Sequence, residues 1–242
     1  MSNKPSIVFA HGLFADGSCY SKVMELLVAD GYDVVSTQNQ LNSVEDDAAA
    51  VRTAIGQVSS PVVLVGHSYG GTVITVAGTD ERVAAIVYIC ALAPDEGEPS
   101  SAQQEQFPKT PVFDHFEVKD GRFWLNRSGT VEFCGDLSED EQKLVWATQT
   151  TPLTTLFGEP VHGAAWKTKP TYYIIGLNDR TVHPDLQRFV AKRMNAKVTE
   201  LHSSHVPMLS QPQRVFEVIR EAAEAVQQSA GQQAQPTPVP AE

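Results

Sequence analysis

The hexapeptide Gly66-His67-Ser68-Tyr69-Gly70-Gly71 lies between an apolar run at residues 61–65 and a helix-like segment at residues 72–77. It carries the pattern G-x-S-x-G in the setting of a nucleophile elbow, where a serine stands at the apex of a sharp strand-to-helix turn. Glycines flank the serine because side chains there would meet the adjoining backbone. The stretch therefore predicts a strand, a turn that presents Ser68 and a helix, with an ordinary glycine-rich turn as the alternative.

Strand-like runs rich in valine and isoleucine alternate with helical patterns over most of the chain. The runs cover residues 6–10, 32–37, 61–66, 83–92, 171–176 and 197–202, and the helical patterns cover residues 18–30, 44–58, 69–78, 184–194 and 211–227. Near-continuous apolar runs separated by helices are typical of a parallel sheet that is covered on both faces. The sequence therefore predicts an α/β fold with a doubly wound, six-stranded parallel sheet.

The alternation stops at residues 94–166, where proline, glycine, charged residues and aromatics replace the valine-rich runs. We interpret this segment as a cap inserted into a core of residues 1–93 and 167–227, and residues 228–242 as a disordered tail. Within the cap, Ser138 and Glu141 have the spacing of a capping box. Nine aromatic residues of this segment predict an apolar pocket roof or the cap's own core: Phe107, Phe113, Phe116, Phe123, Trp124, Phe133, Trp146, Phe157 and Trp166.

Composition narrows the classes of partner. The chain has 18 Lys and Arg against 29 Asp and Glu, a formal net charge of −11, so neither nucleic acid nor an anionic membrane is an expected partner. No apolar segment of the sequence is typical of a signal peptide or a membrane span, which predicts a cytoplasmic protein. Cys19, Cys90 and Cys134 are odd in number and widely spaced, which favours buried free thiols over disulfides or a zinc site.

A serine nucleophile needs a base to take its proton and an acid to orient that base. Asp179 follows the strand-like run at residues 171–176, and His205 follows the next run, at residues 197–202. In α/β sheets the functional groups collect in loops at the carboxyl ends of the strands. The chain order Ser68, Asp179, His205 fits this arrangement, so we predict these residues as a catalytic triad.

Other residues compete for these roles. Asp185 could be the acid, but it lies at a predicted helix start, where a carboxylate stabilises free backbone amides. His202 and His205 could bind a metal, but no third ligand lies nearby at a suitable spacing. His11 and His67 are explained more simply as packed, hydrogen-bonded residues than as a second base.

Hydrolysis of an acyl compound passes through an oxyanion, and two backbone N–H donors are expected to stabilise it, each worth about 3 kcal/mol. Tyr69 follows the nucleophile and supplies one. Leu13 supplies the other from the loop after the first strand, His11-Gly12-Leu13-Phe14. A simple turn is the alternative interpretation of that loop.

These residues resemble the α/β-hydrolase superfamily, and within it the small plant methyl esterase and hydroxynitrile lyase group with its bacterial relatives. The resemblance covers most of residues 5–220. It is carried by the His11-Gly12 loop, the elbow at residues 66–71, the stretch FCGDLSED at residues 133–140, Asp179 and Ser204-His205. It implies a six-stranded sheet with an inserted cap, the triad of Ser68, Asp179 and His205, oxyanion donors at Leu13 and Tyr69, and neither a metal nor an organic cofactor.

The expected activity is hydrolysis of small, fairly apolar carboxylic esters through an acyl-enzyme, and the expected partner is a small-molecule ester. A hydroxynitrile lyase, a cofactor-free haloperoxidase or perhydrolase, and a non-enzymatic ligand-binding protein are alternatives on the same fold. Lyases of the group carry a lysine after the catalytic histidine and a threonine beside the oxyanion site. Here these positions are Val206 and Gly12, which we assign to substrate binding; valine offers no charge to departing cyanide, and glycine leaves that wall open. The sequence also allows a homodimer.

Overall fold

One sheet contains all six predicted strands. In the computed structural model, which describes residues 4–59 and 61–233, the strands are β1 (Ser6–Ala10), β2 (Val34–Ser36), β3 (Val62–His67), β4 (Val83–Ile89), β5 (Phe116–Lys119), β6 (Arg122–Leu125), β7 (Thr171–Gly176) and β8 (Lys197–Leu201). Six of these described strands form a parallel sheet in the order β2-β1-β3-β4-β7-β8, and β5 pairs with β6 as an antiparallel hairpin. The predicted six-stranded parallel sheet is confirmed.

Helices flank the sheet. Those in the described residues are α1 (Ser21–Ala29), α2 (Val44–Gln57), α3 (Gly70–Ala77), α4 (Ser100–Gln104), α5 (Thr130–Cys134), α6 (Glu139–Ala147), α7 (Pro184–Arg193), α8 (Pro207–Ser210) and α9 (Pro212–Gln233). Among them, α1 packs against α9, and α2 packs against α3. The predicted alternation of strands and helices is therefore confirmed in α1, α2, α3, α7 and α9.

The buried strands coincide with the apolar runs that predict them. β1, β3 and β7 are buried along their whole length, as a sheet covered on both faces requires. β8 lies at an edge and is largely exposed. The run predicted at residues 83–92 ends as a strand at Ile89, because Cys90 has a φ of +46° and turns the chain out of the sheet.

The smaller elements lie between β4 and β7. This segment, called the cap below, holds α4, α5, α6 and the β5–β6 hairpin. The capping box is confirmed at α6: Ser138 Oγ accepts a hydrogen bond from the Glu141 amide, and the Glu141 carboxylate accepts one from the Ser138 amide at 3.1 Å. The boundaries of the cap at residues 94 and 166 stay a prediction.

The C-terminal helix is longer than predicted. α9 continues to Gln233, so it replaces the first part of the disordered tail predicted at residues 228–242. Alanine and glutamine are good helix formers, and a helix that is already packed on the core extends into them without a new apolar face. Residues 234–242 lie outside the described residues.

Two predictions from composition can be compared with the structure. Cys19, Cys90 and Cys134 are free and buried, as predicted. None of the helices in the described ranges combines the length and the apolar character needed to cross a bilayer. The cytoplasmic location and the homodimer stay predictions.

Candidate active site

Ser68 occupies a strained turn between β3 and α3. Its φ is +56°, a left-handed conformation that residues other than glycine rarely adopt. Its amide donates to Ile89 O at 3.0 Å, and its carbonyl accepts from Leu92 N at 3.1 Å. A Cβ on Gly70 would lie 2.2 Å from Ala10 O, so only glycine fits there. The elbow is thus held rigidly against the end of β1.

Asp179 and His205 meet at the carboxyl ends of β7 and β8. Asp179 Oδ2 lies 2.7 Å from His205 Nδ1, and both side chains are fully buried. Asp179 Oδ1 also accepts from the amides of Thr181 and Val182 at 2.7 and 3.0 Å. The carboxylate therefore accepts a hydrogen bond from Nδ1, which leaves Nε2 as the ring nitrogen that faces away from the acid. Within the described residues, His205 Nε2 is buried and has no hydrogen-bond partner.

Two aromatic contacts join the serine to this pair. The ring of His67, the residue before Ser68, lies 4.5 Å from the His205 ring, and its Nε2 donates to His205 O at 2.8 Å. Phe133 stands edge-on to His205 at 5.0 Å and also lines the cavity at Ser68. The structure therefore brings the elbow, Asp179 and His205 to the same end of the sheet.

Asp185, the alternative acid, lies elsewhere. Its side chain is 64% exposed in the first turn of α7, where it pairs with Arg188 at 2.9 Å. A carboxylate there stabilises the start of the helix. His202, the alternative metal ligand, is exposed, in contrast to the buried His205.

Leu13 and Tyr69 are the predicted oxyanion donors, and that role stays a prediction. Both residues line the cavity at Ser68, and neither amide donates a hydrogen bond to another described residue. The Tyr69 side chain is anchored below, where its hydroxyl donates to Asp47 Oδ2 at 3.0 Å. Burial raises the pKa of Asp47, while its other oxygen accepts from the Leu41 amide at 3.1 Å.

His11 fixes the loop that carries Leu13. Its Nδ1 donates to Gly12 O at 2.8 Å, and its Nε2 accepts from the Asn39 amide at the same distance. Burial lowers the pKa of His11, so the ring stays neutral and keeps this acceptor. The hydrogen bonds of His11 and His67 fit the structural role that the sequence favours for both.

The surroundings of Gly12 and Val206, the two predicted substrate-binding residues, differ from those that the sequence predicts. A Cβ on Gly12 would lie 2.6 Å from Ser68 Cβ and 2.9 Å from His67 O. The expectation that Gly12 leaves a wall of the site open is wrong, because Ser68 and His67 fill that space. Val206 is buried and lines a separate cavity, between α1 and α6, instead of the one at Ser68. A substrate-binding role for either residue stays a prediction.

The cavity at Ser68 is small and apolar. Its volume is about 20 Å³, enough for one water molecule. Besides Ser68, Leu13 and Tyr69, its walls are Phe14, Leu92, Gln104, Val112, Phe113, Phe116, Phe133, Phe157, Thr181 and Val182. Four of the nine predicted cap aromatics are among them. Others stabilise the cap itself: Trp146 Nε1, for example, donates to Leu125 O at 3.0 Å.

One group in the described residues has the composition of a metal site. Ligand atoms of Cys90, Asp179 and His205 lie within 4.8 Å of one another, and all three residues are buried. Burial, and next the Asp179 charge, hold the pKa of the Cys90 thiol well above its usual range, so the thiol stays protonated. Of the other two side chains, His205 already donates from Nδ1 to Asp179 Oδ2.

Sequence reasoning missed one residue that supports the acid. Gln187 of α7 is fully buried; its Nε2 donates to Asp179 Oδ2 at 2.7 Å, and its Oε1 accepts from the Gly176 amide at 3.0 Å. The sequence does contain a sign of this role: Gln187 is a polar residue on the apolar face of the predicted helix, beside Leu186 and Val190. Such a residue needs buried partners, and here these are the acid and the end of β7.

Comparisons with known proteins agree with this geometry. The family model described as the alpha/beta hydrolase family matches residues 7–218. Alpha/beta hydrolase nvfD of Aspergillus novofumigatus is 29% identical over 245 residues, covering 91% of this chain and 97% of that protein. Methylesterase 8 of Arabidopsis thaliana is 23% identical over 253 residues, covering 87% and 86%.

A solved structure shows the same fold. The crystal structure of a pyrethroid hydrolase from Sphingobium faniae has a TM-score of 0.77 and 26% identity, covering 91% of this chain and 98% of that one. The resemblance seen in the sequence is thereby confirmed. Because the family model covers most of its length, this chain belongs to the alpha/beta hydrolase family, and its relatives include ester hydrolases, the plant methylesterases among them.

Proposed function

We propose that this protein is a serine esterase that hydrolyses small, apolar carboxylic esters through an acyl-enzyme. The observation that carries the proposal is the bond between His205 Nδ1 and Asp179 Oδ2, 2.7 Å long and fully buried, which leaves His205 Nε2 without a partner in the described residues. A buried histidine nitrogen without a partner fits the activation of a nucleophile, and the His205 ring lies 4.5 Å from the ring of His67, the residue before the elbow serine.

In the first half-reaction, Ser68 Oγ attacks the ester carbonyl carbon while His205 Nε2 takes the hydroxyl proton. Asp179 stabilises the imidazolium that forms. The carbonyl oxygen becomes an oxyanion and accepts from the amides of Leu13 and Tyr69. As the intermediate collapses, the bond between the carbonyl carbon and the alcohol oxygen breaks, and His205 gives its proton to that oxygen.

In the second half-reaction, water replaces the departed alcohol. His205 Nε2 takes a proton from this water, whose oxygen attacks the acyl carbon. Collapse of the second intermediate releases the carboxylic acid, and the proton returns to Ser68 Oγ. No step of this cycle needs a redox partner.

The wall of the cavity at Ser68 supports an apolar substrate. Four phenylalanines of the cap surround it, and no charged side chain lines it within the described residues. The names of two relatives support an ester as the substrate, since one is a pyrethroid hydrolase and another is a methylesterase. These observations favour esters whose groups are bound by apolar contact.

The proposal is tested with Ser68→Ala and a panel of p-nitrophenyl esters of increasing acyl length. We expect the variant to fold normally and to lose turnover by about 10⁶-fold, because no other group replaces the nucleophile. A fluorophosphonate probe should label Ser68 alone, as read by peptide mass spectrometry. Retention of more than about a hundredth of the wild-type rate by the variant would show that the covalent mechanism is wrong.

A further inference from the structure

Two larger cavities adjoin the small cavity at Ser68. The first, of about 460 Å³, lies between α4 and α7 and shares five wall residues with it: Gln104, Phe113, Phe157, Thr181 and Val182. The second, of about 320 Å³, lies between α1 and α6 and shares Phe133 with it. We call them the α4–α7 cavity and the α1–α6 cavity. Each has the volume of a pocket that holds an organic ligand.

The α1–α6 cavity lies where the cap meets the core. Its walls include Leu144 and Val145 of α6, Ser21 and Lys22 of α1, and Leu209. Lys22 of α1 pairs with Glu141 of α6 at 2.7 Å, which ties the two walls together. Its lining is otherwise mostly apolar, so it suits a hydrocarbon group better than a charged one.

We propose that the substrate is an ester with two apolar arms, whose acyl arm occupies the α4–α7 cavity and whose alcohol arm occupies the α1–α6 cavity. This inference rests on the proposed function. His205 must give a proton to the alcohol oxygen as it leaves, so the alcohol lies on the His205 side of the reacting carbon. That side leads to the α1–α6 cavity, because two of the residues that line the cavity adjoin His205. Val206 follows His205 in the chain, and the Phe133 ring stands edge-on to His205 at 5.0 Å.

Phe133 separates the alcohol arm's cavity from Ser68. Its ring is 1% exposed and packs edge-on against both His205 and Phe14. The Phe133 ring is part of the wall of both cavities, so an alcohol arm that enters the α1–α6 cavity from Ser68 has to pass it. We therefore expect Phe133 to set how large an alcohol the site accepts, and the acyl arm to be less limited, because the α4–α7 cavity shares five wall residues with the cavity at Ser68 and the α1–α6 cavity shares one.

The test uses four esters: the methyl and 2-naphthylmethyl esters of acetic and hexanoic acid. In each variant, kcat/KM is measured by acid release. Leu144→Trp narrows the α1–α6 cavity, and Ser101→Trp narrows the α4–α7 cavity. Val118→Trp adds the same side chain at an exposed position of the cap outside both cavities and serves as the control.

We expect Leu144→Trp to lower the preference for naphthylmethyl over methyl esters about tenfold, and Ser101→Trp to lower the preference for hexanoyl over acetyl about tenfold. Phe133→Ala should raise the naphthylmethyl preference. Thr148→Trp, on the exposed rim of the α1–α6 cavity, replaces Leu144→Trp if that variant does not fold.

The assignment of the arms would be overturned if Leu144→Trp changed the acyl preference and Ser101→Trp changed the alcohol preference. It would also be overturned if both variants kept the same ester preferences as the control Val118→Trp. Failure of the proposed function has a different signature. In that case the wild type turns over none of the four esters, and Ser68 takes no fluorophosphonate label.

Discussion

Asp136 of the cap accepts two hydrogen bonds from Ser204, the residue before His205. One comes from the Ser204 amide at 2.9 Å, and the other comes from its hydroxyl. Asp136 itself is exposed, whereas Ser204 is buried. The cap is thereby tied to the loop that carries His205, and we expect Asp136 to position His205 through Ser204.

We expect Asp136→Asn to lower kcat about tenfold or more with little change in KM, because an amide cannot accept both hydrogen bonds and His205 loses its fixed position. Asp140→Asn is the matched control, since Asp140 is an exposed cap aspartate paired with Lys143. Steady-state kinetics on a p-nitrophenyl ester distinguish them. Equal kinetics for the two variants would mean that the Asp136 contacts do not position the base.

Asp179→Asn should slow turnover by about 10⁴-fold, because an amide at this position favours the wrong tautomer of His205. Asp185→Asn should leave turnover near the wild-type rate and change stability by less than about 1 kcal/mol, since its pair with Arg188 is exposed. Kinetics and urea unfolding of both variants provide the measurement. An inactive Asp185→Asn beside an active Asp179→Asn would move the acid onto α7.

Gly12→Ala should abolish most of the activity, because its Cβ would lie 2.6 Å from Ser68 Cβ and 2.9 Å from His67 O. Gly56→Ala is the control: it lies inside α2, and apart from its chain neighbours and the backbone of its own helix, no described atom lies within 4 Å of the added Cβ. There we expect full activity and a gain of about 0.5–1 kcal/mol in the free energy of unfolding. A fully active Gly12→Ala enzyme would contradict the close contact between this loop and the elbow.

The stability of the fold should fall as pH decreases below about 6.5. Burial, and next the nearby His205, hold the pKa of His67 well below its usual value, and burial lowers that of His11. The unfolded chain therefore binds more protons than the folded one below pH 6.5, at a cost of up to about 1.4 kcal/mol per pH unit for each histidine.

Urea unfolding at pH 7.5, 6.5 and 5.5 measures this dependence. His67→Gln keeps a donor toward His205 O but cannot be protonated, so we expect a shallower loss of stability on acidification. His162→Gln, at an exposed side chain, should keep the wild-type dependence. A His67→Gln variant with the wild-type dependence would show that the protonation of His67 is not coupled to unfolding.

Lyase activity should be absent. Departing cyanide needs a nearby positive charge, but the residue after His205 is Val206, and no charged side chain of the described residues lines the cavity at Ser68. We expect cyanide release from mandelonitrile to stay at the buffer background while aryl esters are hydrolysed. Strong cyanide release with negligible ester turnover would favour the lyase alternative.

The sequence predicts those features of the fold and the site that depend on local patterns of apolar and polar residues. β7 begins and ends where its apolar run does, and Ser68, Asp179 and His205 follow from strand order, because a parallel sheet gathers its carboxyl ends at one edge. The bonds of Asp136 to Ser204, 68 residues away, depend on how the irregular cap folds over the core. No helical or strand periodicity in the sequence predicts that contact between the cap and the core. Nor does any predict that Phe133 lies between the cavity at Ser68 and the α1–α6 cavity.

The close contacts at Gly12 and Gly70 imply that substitutions are tolerated less well around the elbow than in the cap. The loop after β1 and the elbow touch each other with no room for even one added methyl group at Gly12 or Gly70, so this loop and Ser68 form a fixed unit. A change of substrate is expected to come from the cap, where Leu144, an exposed wall residue of the α1–α6 cavity, can be exchanged. Redesign for new esters should therefore vary the faces of α4 and α6 that line the two larger cavities, and keep Asp136 and the ends of the strands as they are.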